Sequence, residues 1–104
     1  MSAILEGRID KKTLHMTLGI NRLDASVSRE FKREFDALWS PDVTEVEVDL
    51  NEVDFVDSSG VGALLGVYKR VPENSGIVIL KRVKAPVQSV IELLRLHRIF
   101  EIQN

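Results

Sequence analysis

The chain has 104 residues, 44% of them hydrophobic and 29% charged, which is enough for one modest core and predicts a single domain over residues 1–104. Fourteen basic and sixteen acidic residues give a net charge of -2, which offers no electrostatic basis for binding nucleic acid or an anionic membrane. The sequence lacks cysteine, a basic-then-apolar leader and an apolar run of about 18 residues, which excludes disulfides and thiolate metal sites and predicts a cytoplasmic protein.

Two short strands open the predicted structure, near Ala3–Ile9 and Thr13–Leu18, with a polar turn between them. A helical pattern then runs from Asp24 and ends before Pro41. Hydrophobic residues recur on one face of this helix, which we expect to meet the core: Val27, Phe31, Phe35 and Leu38. Trp39 is expected to pack at the end of the helix.

The centre of the chain alternates between strand and helix. Acidic and hydrophobic residues alternate from Glu45 to Leu50, which predicts a strand with one side in the core and its carboxylates toward water. A second helix is predicted from Ser59 to about Val71, because Pro72 follows and apolar residues recur at helical spacing. Its expected inward residues are Val61, Leu64, Leu65 and Tyr68.

The last third of the chain predicts a strand over Gly76–Leu80, a helix that opens at Pro86, and a final strand around Ile99–Ile102. The expected inward residues of this third helix are Val87, Val90, Ile91 and Leu94. Strands joined through helices run parallel, whereas hairpin strands run antiparallel. The pattern therefore predicts an α/β fold with a mixed sheet.

Two serines stand where a strand leads into the second helix, in the sequence Asp57-Ser58-Ser59-Gly60-Val61-Gly62. A helix start presents unpaired N–H groups and the positive end of the macrodipole, so a hydroxyl held there can cap the helix or carry an anion. Two interpretations follow. Either Ser58 or Ser59 merely caps the helix, or Ser58 is a phosphorylation switch.

Glycine recurs within the second helix, at positions 60, 62 and 66. Each glycine forgoes about 1 kcal/mol of helix propensity relative to alanine. This indicates that something packs or docks close to the helix. Tight packing of the helix on its own sheet is the alternative explanation.

Enzymatic chemistry fits the sequence poorly. Ser58 lacks the Gly-x-Ser-x-Gly setting of a hydrolase nucleophile, and the chain has no Gly-x-x-x-x-Gly-Lys phosphate loop. The two histidines, His15 and His97, are expected to be surface or strand residues. We therefore expect no enzymatic activity and no nucleotide bound unaided, with a small Ser-His-Asp hydrolase as a distant alternative.

Charged residues cluster in sequence around the serines. A magnesium cage could use the carboxylates of Asp49, Glu52, Asp54 and Asp57. Alternation divides these residues between two faces, so we expect no metal site and instead a solvated loop that helps a partner to dock. A short basic run is likewise expected to be a solvated loop: Lys81, Arg82 and Lys84.

The segment from Asp57 to Gly62, placed after a strand and the pair Phe55-Val56, closely resembles the signature of STAS domains and specifically of bacterial anti-sigma factor antagonists. The resemblance extends through Leu64, Leu65, Gly66, Tyr68 and Lys69, and Leu23-Asp24 is similar to the pair that ends the family's first conserved loop. Asn21 stands where that loop usually has a glycine, and asparagine tolerates a left-handed backbone. The implied fold is a STAS-like α/β domain with a mixed sheet of about four to five strands and helices mainly on one face.

The resemblance also implies a function. In such proteins the serine corresponding to Ser58 accepts phosphate from an anti-sigma factor that is also a serine kinase, and a serine phosphatase removes it. The unphosphorylated protein binds that kinase, and phosphorylation breaks the complex. The resemblance implies no cofactor for this chain. The phosphorylation loop and partner-binding surface would comprise Asp24, Asp57, Ser59, Gly60, Val61 and Gly62. The alternative is a non-phosphorylated STAS module that serves as a structural subunit or small-ligand sensor in a transporter or signalling assembly.

Overall fold

The computed structural model of the chain describes residues 3–104. Seven strands and three helices follow one another, with a short 3₁₀ turn at Leu96–Arg98 before the last strand. Their bounds are β1 Leu5–Asp10, β2 Thr13–Leu18, β3 Arg22–Leu23, α1 Ser28–Leu38, β4 Glu45–Asp49, β5 Phe55–Val56, α2 Ser58–Arg70, β6 Ile77–Lys81, α3 Ala85–Leu93 and β7 Glu101–Gln103.

Five of the strands form one mixed sheet in the order β1-β2-β4-β6-β7. The hairpin β1–β2 is antiparallel, and every other neighbouring pair is parallel because a helix or a long connection joins its strands. β3 and β5 form a separate two-stranded parallel sheet beside the main one. The predicted α/β fold with a mixed sheet is confirmed.

One face of the main sheet forms the hydrophobic core with the three helices. Alternate residues of β2 and β4, such as Leu14, Met16, Val46 and Val48, are almost fully buried. Phe31 and Phe35 of α1, Leu64 and Val67 of α2, and Val87 and Ile91 of α3 pack in the same cluster. Burying a side chain of this size contributes about 1.5 to 3 kcal/mol to the free energy of folding. The packing of these side chains therefore holds the helices, and with them the helix ends, in place on the sheet.

Two residues predicted to point inward are exposed, which corrects the predicted faces of α2 and α3. Tyr68 is 37% exposed because Val67 occupies the inward position, and its ring instead packs edge-on to Phe100 at 6.0 Å. Leu94 is 50% exposed because it lies past the end of α3, next to Arg95 in the left-handed region.

The hydrophobic pattern predicted that the first helix begins at Asp24, but the helix begins at Ser28. The Asp24 carboxylate accepts hydrogen bonds from the Ser26 N–H at 3.0 Å and from the Ser26 hydroxyl at 2.6 Å. An aspartate that binds the backbone two residues ahead holds a turn and competes with the helical hydrogen bonds. The segment before it forms β3, which pairs with β5 and was not predicted.

The ends of other elements also differ from the predicted ones. The helix α2 begins at Ser58, one residue earlier than expected, and β7 begins at Glu101 because Ile99 and Phe100 complete the turn before it. Trp39 does pack at the end of α1, against Phe35 at 5.7 Å, as predicted.

The opposite face of the sheet carries ion pairs. Glu47 of β4 accepts a hydrogen bond from Lys81 at 3.1 Å and lies 3.4 Å from the His15 ring nitrogen. Asp49 pairs with Arg82. The predicted outward side of β4 is therefore half-buried. Of the basic run, Arg82 and Lys84 are exposed in the loop after β6, as predicted, whereas Lys81 ends that strand, and all three pair with carboxylates.

Burial raises the pKa of Asp49, but hydrogen bonds from Arg82 and the Asn51 N–H and the nearby positive charges outweigh it, so the pKa is held below its ordinary value of 3.8. The Asp49 contribution to stability is then present above pH 3.8 and is lost as the pH falls through the folded-state pKa.

We expect Asp49→Asn to lower the free energy of unfolding near neutral pH by less than about 1 kcal/mol, since Arg82 is mostly exposed. Urea melts across a pH series should show the difference between the two proteins shrinking to nothing in acid. A difference that stays constant from about pH 7 to about pH 2 would assign the effect to packing instead of charge.

Candidate functional site

The start of α2 is capped by Asp57. This residue has extended backbone angles, and its Oδ1 accepts a hydrogen bond from the Gly60 N–H at 2.9 Å. Its other carboxylate oxygen accepts one from the Ala25 N–H at 3.3 Å. The interpretation that Ser58 or Ser59 caps the helix is therefore wrong, because the preceding aspartate already holds the capping position.

Ser58 is the first residue of α2 and is exposed. No hydrogen bond joins its hydroxyl to another residue in the part of the chain that the structure describes. The free N–H groups and the dipole of a helix start stabilise a negative group there by about 0.3 to 1 kcal/mol. The hydroxyl is thus open to a modifying enzyme, and an added anion meets a favourable field.

A second loop lies beside this helix start because β3 pairs with β5. Arg22 pairs with Phe55 and Leu23 with Val56, and the Arg22 guanidinium stacks over the Phe55 ring at 4.1 Å from its centre. The loop then turns at Asp24, whose carboxylate binds Ser26 and lies 3.3 Å from the Arg22 side chain. Asp24 and Asp57, two of the predicted site residues, are therefore brought to the same edge.

The Ser26 hydroxyl, followed by the Ser26 N–H and Arg22, holds the pKa of Asp24 below its ordinary value against the opposing effect of desolvation. Asp24 is consequently ionised at neutral pH. The surface beside Ser58 thus carries a fixed carboxylate whose orientation is set by three hydrogen bonds from two residues.

Gly60 and Val61 are buried on the core side of α2, whereas Gly62 is exposed. A Cβ at position 60 would lie 2.0 Å from the carbonyl oxygen of Leu23. The expectation that this glycine leaves room for a docking partner is wrong, since the chain's own β3 fills that room. Added Cβ atoms at Gly62 and Gly66 would meet nothing within 4 Å, so the expectation stays a prediction for those two positions.

Arg22, Ala25 and Ser26 were not predicted as site residues, because the helical pattern concealed the turn at Ala25 and Ser26 and β3, which contains Arg22, was not predicted. The order Asp-x-Ser before a helix is the signal that could have revealed the turn. Asn21 is not in the left-handed region, and its carbonyl accepts a hydrogen bond from the Asp54 N–H at 2.8 Å.

The acidic residues around the site do not converge. Asp49 pairs with Arg82, Asp54 with Lys84 at 2.8 Å, and Asp57 caps α2. Within residues 3–104, no group of three or more histidine, aspartate and glutamate side chains is placed to hold a metal ion. Asp49 and Asp57 therefore bind groups of this chain, whereas Glu52 and Asp54 are exposed, as expected of a solvated loop.

The remaining expected features are placed as follows. His15 lies on the open face of the sheet against Glu47, and His97 lies in the 3₁₀ turn. Neither forms a hydrogen bond with Ser58 in the range 3–104. Among those same residues, no helix has the length and apolar character needed to cross a bilayer.

We expect Asp57→Ala to lower the free energy of unfolding by about 1 to 2 kcal/mol, because it removes the cap of α2 and the bond to Ala25. Ser58→Ala is the matched control and should change stability by less than about 0.5 kcal/mol, since its hydroxyl is exposed and unbonded. Equal losses for the two variants in urea unfolding would contradict the assignment of the cap.

Gly60→Ala should destabilise the fold by at least about 2 kcal/mol, because its Cβ would overlap the Leu23 carbonyl. Gly62→Ala should instead stabilise it by about 1 kcal/mol, since the added Cβ meets open space in a helix. Thermal melting compares them directly, and effects of the same sign would refute the distinction.

Comparisons with known proteins show the family and the fold of the chain. The family model for the STAS domain matches residues 13–104. A Listeria monocytogenes protein named anti-sigma-B factor antagonist is 23% identical over 96 residues, covering 91% of this chain and 84% of that protein.

Solved structures show the same fold. An anti-sigma-factor antagonist (STAS) domain protein from Planctomyces limnophilus superposes with a TM-score of 0.83 at 19% identity, covering 98% of this chain and 90% of that one. The unphosphorylated anti-sigma factor antagonist SpoIIAA superposes with a TM-score of 0.77 at 20% identity, covering 96% of this chain and 88% of that one. The phosphorylated Bacillus SpoIIAA superposes with a TM-score of 0.62 at 20% identity, covering 96% of this chain and 91% of that one. With its signature at Asp57–Gly62 and a family match over most of its length, the chain belongs to the STAS domain family.

Proposed function

We propose that the protein is a phosphorylation-controlled partner switch. Unphosphorylated, it binds and sequesters an anti-sigma factor kinase or a similar regulator, and phosphorylation on Ser58 breaks the complex. The observation that carries this proposal is the exposed, unbonded hydroxyl at the start of α2, next to an aspartate that already caps the helix.

The relatives support the proposal from a separate direction. The Listeria relative is named as an antagonist of an anti-sigma factor, and SpoIIAA is described in both an unphosphorylated and a phosphorylated form. A relative described in two such forms supports a switch by phosphorylation in this fold.

The charge of a phosphate is sufficient for such a switch. Phosphoserine adds about -1.5 to -2 charges at neutral pH. In the free protein the helix start stabilises this charge, whereas in an interface it would lie beside Asp57 and near Asp24 with little water. Like-charge contacts in an interface cost several kcal/mol, and each 1.4 kcal/mol is about tenfold in affinity.

In this proposal the chain is a substrate and a binding partner, not an enzyme. The kinase brings ATP and Mg²⁺, a separate serine phosphatase restores the hydroxyl, and all three proteins act in the cytoplasm. A STAS module without serine chemistry, held permanently in a larger assembly, would need another subunit to cover Ser58. The two alternatives therefore differ in whether Ser58 remains accessible to a kinase in the assembled state.

The test begins by finding the kinase. Each ATP-binding anti-sigma factor homologue of the source organism is purified and incubated separately with the protein, ATP and Mg²⁺, and the modified peptide is mapped. We expect phosphate on Ser58, loss of labelling in Ser58→Ala, and labelling retained in the matched control Ser59→Ala. Phosphate on Ser59 with Ser58 unmodified would overturn the assignment, and no labelling by any homologue would overturn the proposed function.

The same kinase then serves in calorimetric titrations. Ser58→Ala should bind it with about the affinity of the unmodified protein, while Ser58→Asp should bind about 5- to 150-fold more weakly, because a carboxylate reproduces only part of the phosphate charge. Equal affinities for wild type and both variants would remove Ser58 from the interface and favour the structural-subunit alternative.

A further inference from the structure

A groove of about 520 Å³ lies between α1 and α2 and reaches the first turn of α2. Its floor is apolar and is formed by Phe31 and Phe35 of α1 and by Gly62, Ala63 and Gly66 of α2. Ser59 lies at its edge, directly after the proposed phosphoacceptor. The groove is therefore continuous with the start of α2, where Ser58 lies.

The groove is positively charged although the chain has a net charge of -2. Four basic side chains border it, from Arg29, Lys32, Lys69 and Arg70, with the single carboxylate of Asp36. Asp36 is already bound to Arg70 at 2.7 Å and to Lys32 at 3.2 Å. Arg29 and Lys69 make no ion pair with any residue from 3 to 104, so two unpaired cations face this groove.

No contact among residues 3–104 requires glycine at the two positions on the groove floor. An added Cβ at Gly62 or Gly66 has no atom within 4 Å, in contrast to Gly60. Alanine at both positions would add about 2 kcal/mol of helix stability in total. Their absence of side chains instead lets another molecule approach the backbone of α2 closely.

The switch serine lies on the same side of the helix as this floor. Residues four apart are neighbours on a helix surface, so Ser58, Gly62 and Gly66 form one row along α2. A helix laid along the row would reach the Ser58 hydroxyl at its end. A phosphate at Ser58 would then meet the same segment that occupies the groove.

We propose that this groove binds an acidic amphipathic helix of the partner kinase, with apolar side chains over Gly62 and Gly66 and carboxylates toward Arg29 and Lys69. A helix that places one apolar face in a hydrophobic groove is a recurrent mode of recognition, and the cations select an acidic one. This inference rests on the proposed function, because the occupant is the kinase that phosphorylates Ser58.

The first experiment fills the groove. Gly66→Leu is expected to lower the affinity for the kinase identified above by at least about tenfold, while Gly66→Ala, the matched control, changes it by less than about threefold. Both variants should melt at or above the wild-type temperature, since position 66 faces open space. Unchanged kinase affinity in Gly66→Leu would overturn the groove assignment.

The second experiment reverses the charge. Lys69→Glu should weaken kinase binding by about tenfold at low salt and by less at high salt. Lys12→Glu makes the same change of net charge in the turn between β1 and β2, and should leave the affinity within about twofold. Equal weakening by both substitutions would show a general charge effect and contradict a basic groove that selects its partner.

These results separate the two proposals. If the kinase phosphorylates Ser58 and binds Gly66→Leu and Lys69→Glu as it binds the wild type, the partner switch stands and the groove is not its docking site. If no kinase phosphorylates Ser58, the proposed function fails and the groove assignment fails with it.

Discussion

The arrangement of this site depends on the carboxylate of Asp57. One oxygen closes the first turn of α2 through the Gly60 N–H, and the other holds the loop after β3 through the Ala25 N–H. Gly60 completes the junction, because the Leu23 carbonyl occupies the space that a side chain would take. With the cap supplied by Asp57, the Ser58 hydroxyl is not needed to satisfy the helix and is left exposed for chemistry.

The packing of α2 in the core and its proposed role in partner binding use different sides of one helix. Its inner side, with Val61 and Leu64, is fixed in the core, and its outer side carries Ser58 and the open positions at Gly62 and Gly66. A phosphate on the outer side changes local charge without disturbing the packed side. A small domain can in this way alter its affinity for a partner while its own fold stays intact.

Hydrophobic periodicity was sufficient to predict much of the fold. The strand Thr13–Leu18 has the predicted ends, and the order of strands and helices gave the mixed sheet. Periodicity could not show that the Asp24 carboxylate would bind Ser26 and delay α1, or that Val67 would displace Tyr68 from the inward face. Resemblance predicted Ser58 as the phosphoacceptor, and only the structure distinguished its neighbours: Asp57 as the cap, Gly60 as packed against β3, and Gly62 as open. Ion pairs such as Lys84 with Asp54 join residues far apart in sequence, which no local pattern can reveal.

The central claim is that Ser58 carries the signal while Asp57 keeps the helix closed. Amide hydrogen exchange of the unphosphorylated and phosphorylated proteins tests it directly, read at the Gly60 and Val61 amides, which bond to the side chain and the carbonyl of Asp57. We expect equal protection in both forms, or slightly greater protection with phosphate. Loss of protection across the first turns of α2 on phosphorylation would contradict it, because the switch would then act by opening the helix and not by placing a charge on an intact surface.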